Sequence, residues 1–126
     1  AFETLSDGYD EDMRRAKEIE PTFVSSTCAA YIFPDDPFAR RVSGVYSNQL
    51  ARDNPARSHA LLSLLPNGDY LVSVRAPLST KTGADDLCRQ FPTGGGRKAA
   101  AGINQLPAGS LQAFLAALQN QFEAQT

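Results

Sequence analysis

Apolar and polar positions follow two rhythms along the chain, and the switches between them lay out the elements. Residues 6–20 predict a helix, with Ser6 or Asp7 as cap and acidic residues in its first turn, where the helix dipole favours them. Pro21 stops it. The run Cys28-Ala29-Ala30-Tyr31-Ile32-Phe33 is continuously apolar, as in a strand covered on both faces. Asp35-Asp36-Pro37 then reads as an acidic cap followed by a first-turn proline. Phe38, Val42, Val45, Tyr46 and Leu50 recur at helical spacing as far as Arg52, and Asp53-Asn54-Pro55 ends that helix. A second buried strand is expected over 58–65, a turn at Pro66-Asn67-Gly68-Asp69, and a third strand in which Tyr70, Val72 and Val74 alternate with Leu71, Ser73 and Arg75.

The second half is more broken. Thr82-Gly83-Ala84-Asp85 resembles a capping box and predicts a short helix carrying Leu87, Cys88 and Phe91. Pro92-Thr93-Gly94-Gly95-Gly96 interrupts it as a loop, Arg97 to Ala101 predicts a brief helical turn, and 102–106 an edge strand. Leu111, Phe114, Leu115, Leu118 and Phe122 mark a final amphipathic helix. Helices mixed with a hairpin imply a mixed sheet flanked by helices, an α/β fold and not a purely parallel one.

A length of 126 residues supports one hydrophobic core. With 42% hydrophobic and 21% charged residues, general disorder is excluded. No apolar run nears the ~18 residues of a membrane-spanning helix, so no membrane partner is expected. The acidic N-terminus is the wrong sign for a secretory signal, and the missing initiator Met predicts a piece of a longer protein. Cys28 and Cys88 lie in apolar stretches outside any CxxC pair, which predicts buried thiols in a reducing, cytoplasmic setting over a disulfide. The lone His59 has no HxxxH partner and no adjacent nucleophile signature, so a zinc site or a His-based hydrolytic triad is not expected.

Charge changes the picture more than composition. The net charge of −2 conceals a split: residues 1–20 hold seven acids and three bases (3 − 7 = −4), whereas residues 37–98 hold nine bases and four acids (9 − 4 = +5). Nine of the twelve cations are Arg, whose planar fork suits phosphate and carboxylate. A solvated basic face paired with the acidic N-terminal helix is the competing explanation.

The candidate chemistry sits in Thr93-Gly94-Gly95-Gly96-Arg97-Lys98-Ala99-Ala100-Ala101-Gly102. Consecutive glycines can turn successive backbone N–H groups into one concavity that holds an anion. Arg97 and Lys98 add two cations at its mouth. Arg75 leaves the third strand where α/β sheets tend to place ligands. Arg75, Gly94, Gly95, Gly96, Arg97 and Lys98 are therefore the expected phosphate-binding set. No catalytic or metal-ligating residue is assigned. The segment fits neither GxxxxGK[ST] nor GxGxxG.

Ser73-Val74-Arg75, a short helix, and then Gly94 to Gly102 with its closing Ala-Ala-Gly resemble the DHH-associated C-terminal domain of DHH-family phosphoesterases, with its Ser-x-Arg strand and Gly-Gly-Gly-His loop. The resemblance spans roughly 28–125. It implies a substrate-binding domain over 22–126, a connector helix over 1–21, and a separate N-terminal DHH domain in the same polypeptide. That domain would hold divalent metal, usually manganese, through Asp and His. The implied partner is a phosphate-bearing substrate, either a nucleotide or a short single-stranded nucleic acid. Arg97 stands where the family has His; it can pair a phosphate but cannot shuttle a proton at neutral pH. The Asp-His-His motif is absent, so this chain should not hydrolyse phosphoesters alone.

Two other classes remain open. One is a divergent, non-catalytic binding module, which the Arg97 replacement favours. The other is an acetyltransferase-like CoA binder; Gln90 lies one residue out of register for its pyrophosphate loop.

Overall fold

The computed structural model describes residues 11–123; the expected helix start at Ser6 or Asp7 lies outside them. Helix α1 is seen over 11–17. Strands β1 (Phe23–Val24) and β2 (Cys28–Phe33) follow, then α2 (Pro37–Asp53), β3 (Ser58–Leu64) and β4 (Tyr70–Arg75). After them come α3 (Ala84–Cys88), β5 (Gly94–Gly96), β6 (Ala100–Leu106), a 3-10 turn (Ala108–Ser110) and α4 (Leu111–Glu123). The strands form one mixed sheet in the order β1-β2-β3-β4-β6-β5. β2 and β3 are parallel, joined by α2 as a crossover; the other neighbours are antiparallel. This is the α/β fold that the element order predicts.

Local chemistry explains the best-predicted elements. Asp36 caps α2 by accepting the Phe38 N–H at 3.1 Å, with Pro37 in the first turn. The β3–β4 turn needs Gly68 at φ +91°, and Asn67 Oδ1 accepts the Asp69 N–H at 3.0 Å. Strand alternation sorts the core to two faces. On one face Ala29, Tyr31, Phe33 and Leu61 meet Val42, Tyr46 and Leu50 of α2 and Met13 and Ala16 of α1. On the other, Ala30, Leu62, Val72, Val74 and Ile103 meet Leu87 of α3 and Phe114 and Leu118 of α4.

Four expectations are corrected. Gly94–Gly96 is an edge strand, not a loop, because β6 offers it a free ladder. Residues 97–101 are not helical: Arg97 N–H donates to Ala100 O at 2.9 Å, closing the β5–β6 turn. The strand expected at the edge is β6, which lies inside, between β4 and β5. The capping box also does not form. Gly83, at φ 105°, is the α3 cap and Asp85 Oδ1 instead accepts the neighbouring Asp86 N–H.

α2 packs on β3 and β4, and no helix among the described residues covers the β6–β5 half of its sheet face. The register fixes what lies there. Ala29, His59, Arg75 and Ala100 form one cross-strand row. Tyr31, Leu61, Ser73, Gly102 and Gly95 form the next. Cross-strand partners point to the same side. Ser73, Arg75, Gly95 and Gly102 thus share the face on which α2 sits.

Candidate oxyanion-binding site

Arg75 ends β4 with its guanidinium half-buried beside α2. Its Nε donates to Asn48 Oδ1 at 3.1 Å and its NH1 group to Ser73 Oγ at 2.9 Å. Both partners are neutral, and no carboxylate pairs with Arg75 among the described residues. Burial pulls its pKa below the ordinary Arg value, and Arg still stays charged. A partly desolvated cation without a counter-ion is costly and favours an anionic guest.

The pocket around it holds about 180 Å3 and is lined by Asn48, Ala51, Arg52, Arg75, Ala76, Leu78, Lys81 and Ala99. Three of these side chains are cations and none is an acid. A larger depression of about 440 Å3 between β1 and α4 is lined by Thr22, Phe23, Gln112, Leu115, Ala116, Gln119 and Asn120, without a charged group.

The ion pairs separate structural cations from available ones. Arg41 grips Asp12 of α1 at 2.7 Å, Arg40 meets Asp35 at 2.6 Å, and Arg89 meets Asp85 at 3.4 Å. The pairing of the basic face with the acidic helix is therefore real for Arg41. Arg52, Arg57, Arg75, Lys81, Arg97 and Lys98 form no ion pair among the described residues. They all lie at one end of the sheet, at the start of β3, the ends of α2 and β4, the β4–α3 connection and the β5–β6 turn.

The glycines behave differently from the sequence expectation. Arg97 N–H donates to Ala100 O and Asn104 N–H to Thr93 O, so Gly95 and Gly102 are the hydrogen-bonded pair of the ladder. Gly95's N–H is thus used within the sheet, and Gly94's donates to Phe91 O at 3.1 Å. A nest of three free amides does not form. A Cβ on Gly94 would overlap the Cys88 carbonyl oxygen. One on Gly96, at φ +138°, would meet the Ala101 Cα at 2.6 Å, and one on Gly102 the Val72 oxygen at 2.6 Å. Those three glycines are required by the backbone itself. Gly95 is not: a Cβ there would meet nothing within 4 Å. Arg97 and Lys98 are exposed in the β5–β6 turn, and Lys98 O accepts the Ala84 N–H at 3.1 Å, tying that turn to α3.

The structure brings Arg75 together with Asn48, Arg52 and Lys81, none of which the sequence motifs single out. Asn48 and Arg52 lie one helical turn apart on α2, and that helix runs alongside β4 only because β2 and β3 are parallel. A basic residue in the last turn of α2 was the available signal.

His59 sits beside Arg75 in the same row, 1% exposed, with both ring nitrogens unpartnered among the described residues. Burial, helped by Arg57 and opposed by Asp53, drives its pKa down to about 4, so it is neutral at pH 7. Both cysteines are buried, and burial with Asp85 nearby pushes the Cys88 thiol up to about 12. Among the described residues no group of three His, Cys, Asp or Glu is placed to hold a metal ion; the divalent metal that the DHH resemblance implies is assigned there to the separate DHH domain.

No protein-family model matches this sequence, and no curated protein matches it either. Solved structures do match in shape. The pGpG-specific phosphodiesterase PggH of Vibrio cholerae aligns with TM-score 0.68 at 13% identity, over 95% of this chain and 42% of that one. The C-Ala domain of Aquifex aeolicus alanyl-tRNA synthetase aligns with TM-score 0.59 at 15% identity, over 82% of this chain and 98% of that one. A DHH-domain protein described as a member of a family of ribosomal proteins gives TM-score 0.53 at 14% identity, over 94% of this chain and 31% of that one. The fold resembles the DHH-associated domain of DHH phosphoesterases. At these identities the likeness concerns fold alone. The chain spans less than half of the two longer proteins, and equals nearly the whole of the alanyl-tRNA synthetase domain.

Proposed function

We propose that this domain binds the phosphate of a nucleotide or of a short single-stranded nucleic acid. In this reading it is the substrate-binding part of a DHH-type phosphoesterase whose metal-binding DHH domain lies elsewhere in the same polypeptide. The observation that carries the reading is Arg75: half-buried, oriented by two neutral side chains, and paired with no carboxylate among the described residues. Gly95 supports it, since its row with Gly102 and Ser73 leaves a bare backbone surface beside the guanidinium. Arg97 adds long-range attraction from the adjacent turn, and so does Lys98. Gly94 and Gly96 shape the strand. The divalent metal, manganese in this reading, would be held by the DHH domain.

The domain's own residues bind and orient; they move no proton. His59 is buried and neutral, and the Arg97 guanidinium offers N–H donors but no acceptor for a proton. Cleavage therefore falls to the other domain.

A titration of the chain with a mononucleotide, a short single-stranded oligonucleotide and inorganic phosphate, followed by amide shifts, tests the reading. Shifts at Ser73, Arg75, Gly95 and Gly102 are expected, lost in Arg75→Gln. Undisturbed signals at millimolar ligand contradict it.

A non-catalytic binding module is the second reading. Arg97 in the place of the family's loop His favours it, and so does the similar shape of the C-Ala domain of an alanyl-tRNA synthetase. Loss of the Asp and His ligands in the parent polypeptide would select it.

A further inference from the structure

We infer that Arg52 and Lys81 are anion-binding residues, and that the pocket they wall off with Arg75 and Asn48 is a seat for one tetrahedral phosphate oxyanion. This rests on the phosphate-binding reading above and names where the oxyanion goes: into the α2–β4 pocket, not onto the glycine strand.

Size comes first. Pockets for drug-sized ligands run from ~300 to ~1,000 Å3. At about 180 Å3 this one suits a single group, with the rest of the ligand left outside. Ser73, Gly102 and Gly95 form the next row of the same face, where that remainder would lie.

Charge comes second. Arg52, Arg75 and Lys81 line the pocket with no carboxylate among its residues, and none of the three is ion-paired among the described residues. Positive charges held around one small space repel one another unless an anion lies between them. A chain seeking only solubility would disperse these charges or pair them, as it does with Arg40 and Arg41.

Placement comes third. Asn48 binds the Arg75 Nε, which fixes the fork while leaving its NH2 group without a hydrogen-bond partner among the described residues. Lys81 holds φ at 57°, an uncommon conformation for a residue with a side chain, while its N–H donates to Pro77 O at 2.7 Å. That turn brings the Lys81 backbone to the pocket rim.

The same oxyanion chemistry is offered by free phosphate, by a terminal phosphomonoester and by an internal phosphodiester. Inorganic phosphate, methyl phosphate and dimethyl phosphate separate these sources. The test is titration of the 126-residue chain with each, read by amide shifts, for the wild type and for Arg52→Gln, Lys81→Gln and Arg75→Gln. Methyl phosphate is expected to bind, with shifts at Arg52, Arg75, Ala76 and Lys81. Arg52→Gln and Lys81→Gln should each weaken it roughly five- to tenfold, the range for one charge-assisted contact in a partly exposed site. Both replaced residues are exposed, so the fold should persist, and an unchanged amide spectrum away from the pocket checks this. Unchanged affinity in both variants, with binding lost in Arg75→Gln, overturns the pocket assignment and leaves the phosphate-binding reading intact. No binding of any phosphate or nucleotide by the wild type overturns both.

Discussion

Arg75 and Asn48 meet across the boundary between sheet and helix, Nε to Oδ1 at 3.1 Å. This contact joins the end of β4 to the last turns of α2, and it aims a guanidinium without using up its charge. An Asp at position 48 would have neutralised Arg75. The neutral amide positions it and leaves the charge available.

Asn48→Asp should therefore stabilise the fold slightly while weakening phosphate binding, because the new carboxylate competes with the ligand for Arg75. The loss should exceed that in Asn48→Ala. Calorimetric titration with methyl phosphate, beside a thermal melt of each variant, checks the two opposite signs. Equal affinity in Asn48→Asp and wild type would mean that Arg75 is not the anion's partner.

The two neighbouring glycines should part company on substitution. Gly94→Ala drives a methyl into the Cys88 carbonyl and should cost about 1–3 kcal/mol or more, as overpacking does. Gly95→Ala enters open space at a strand position and should leave stability unchanged or raise it by up to ~1 kcal/mol. Denaturant unfolding measures both. If nucleotide binding falls in Gly95→Ala despite full stability, the ligand lies over that backbone.

His59 gives the fold a pH dependence of defined sign. Its folded pKa of about 4 lies below the unfolded value near 6.5, so below pH 6.5 the unfolded chain takes up a proton that the native chain refuses. The stability it contributes is complete above pH 6.5 and is lost as pH falls towards 4. The loss amounts to at most about 3 kcal/mol. Urea unfolding between pH 7.5 and 4.5 should show this slope, and His59→Leu should flatten it. An imidazole resonance titrating near pH 6.5 in the native protein would contradict the assignment.

Much of the fold is legible in local chemistry. The Asp36-Pro37 cap, the Asn67-Gly68 turn and the alternation of 70–75 are short-range signals, and each element lies where its signal points. The 94–102 segment is not legible in that way. Three glycines predict freedom in isolation, yet here an unpaired ladder on β6 recruits them as an edge strand. That pairing is a short hairpin between neighbouring strands, but a strand made of glycines carries none of the apolar alternation that would announce it. The candidate site divides along the same line. Arg75 is readable as a strand-end cation. Its companions Asn48 and Arg52 are not, because only the parallel β2–α2–β3 crossover lays α2 beside β4, and Lys81 reaches the pocket only through the turn of the β4–α3 connection.

Cys88 should be chemically silent. With its pKa pushed up to about 12 and its side chain buried, it should resist iodoacetamide at pH 8 in the native protein and react on unfolding. Mass mapping of the alkylated residues with and without urea checks this.

The central claim is that the cationic end of this sheet holds a phosphate through Arg75. Isothermal titration of methyl phosphate into wild type and Arg75→Gln at low salt tests it most directly. The account predicts saturable binding by the wild type that Arg75→Gln abolishes, with both proteins equally folded by circular dichroism. Equal heats from the two proteins, or none from the wild type at millimolar ligand, would contradict it.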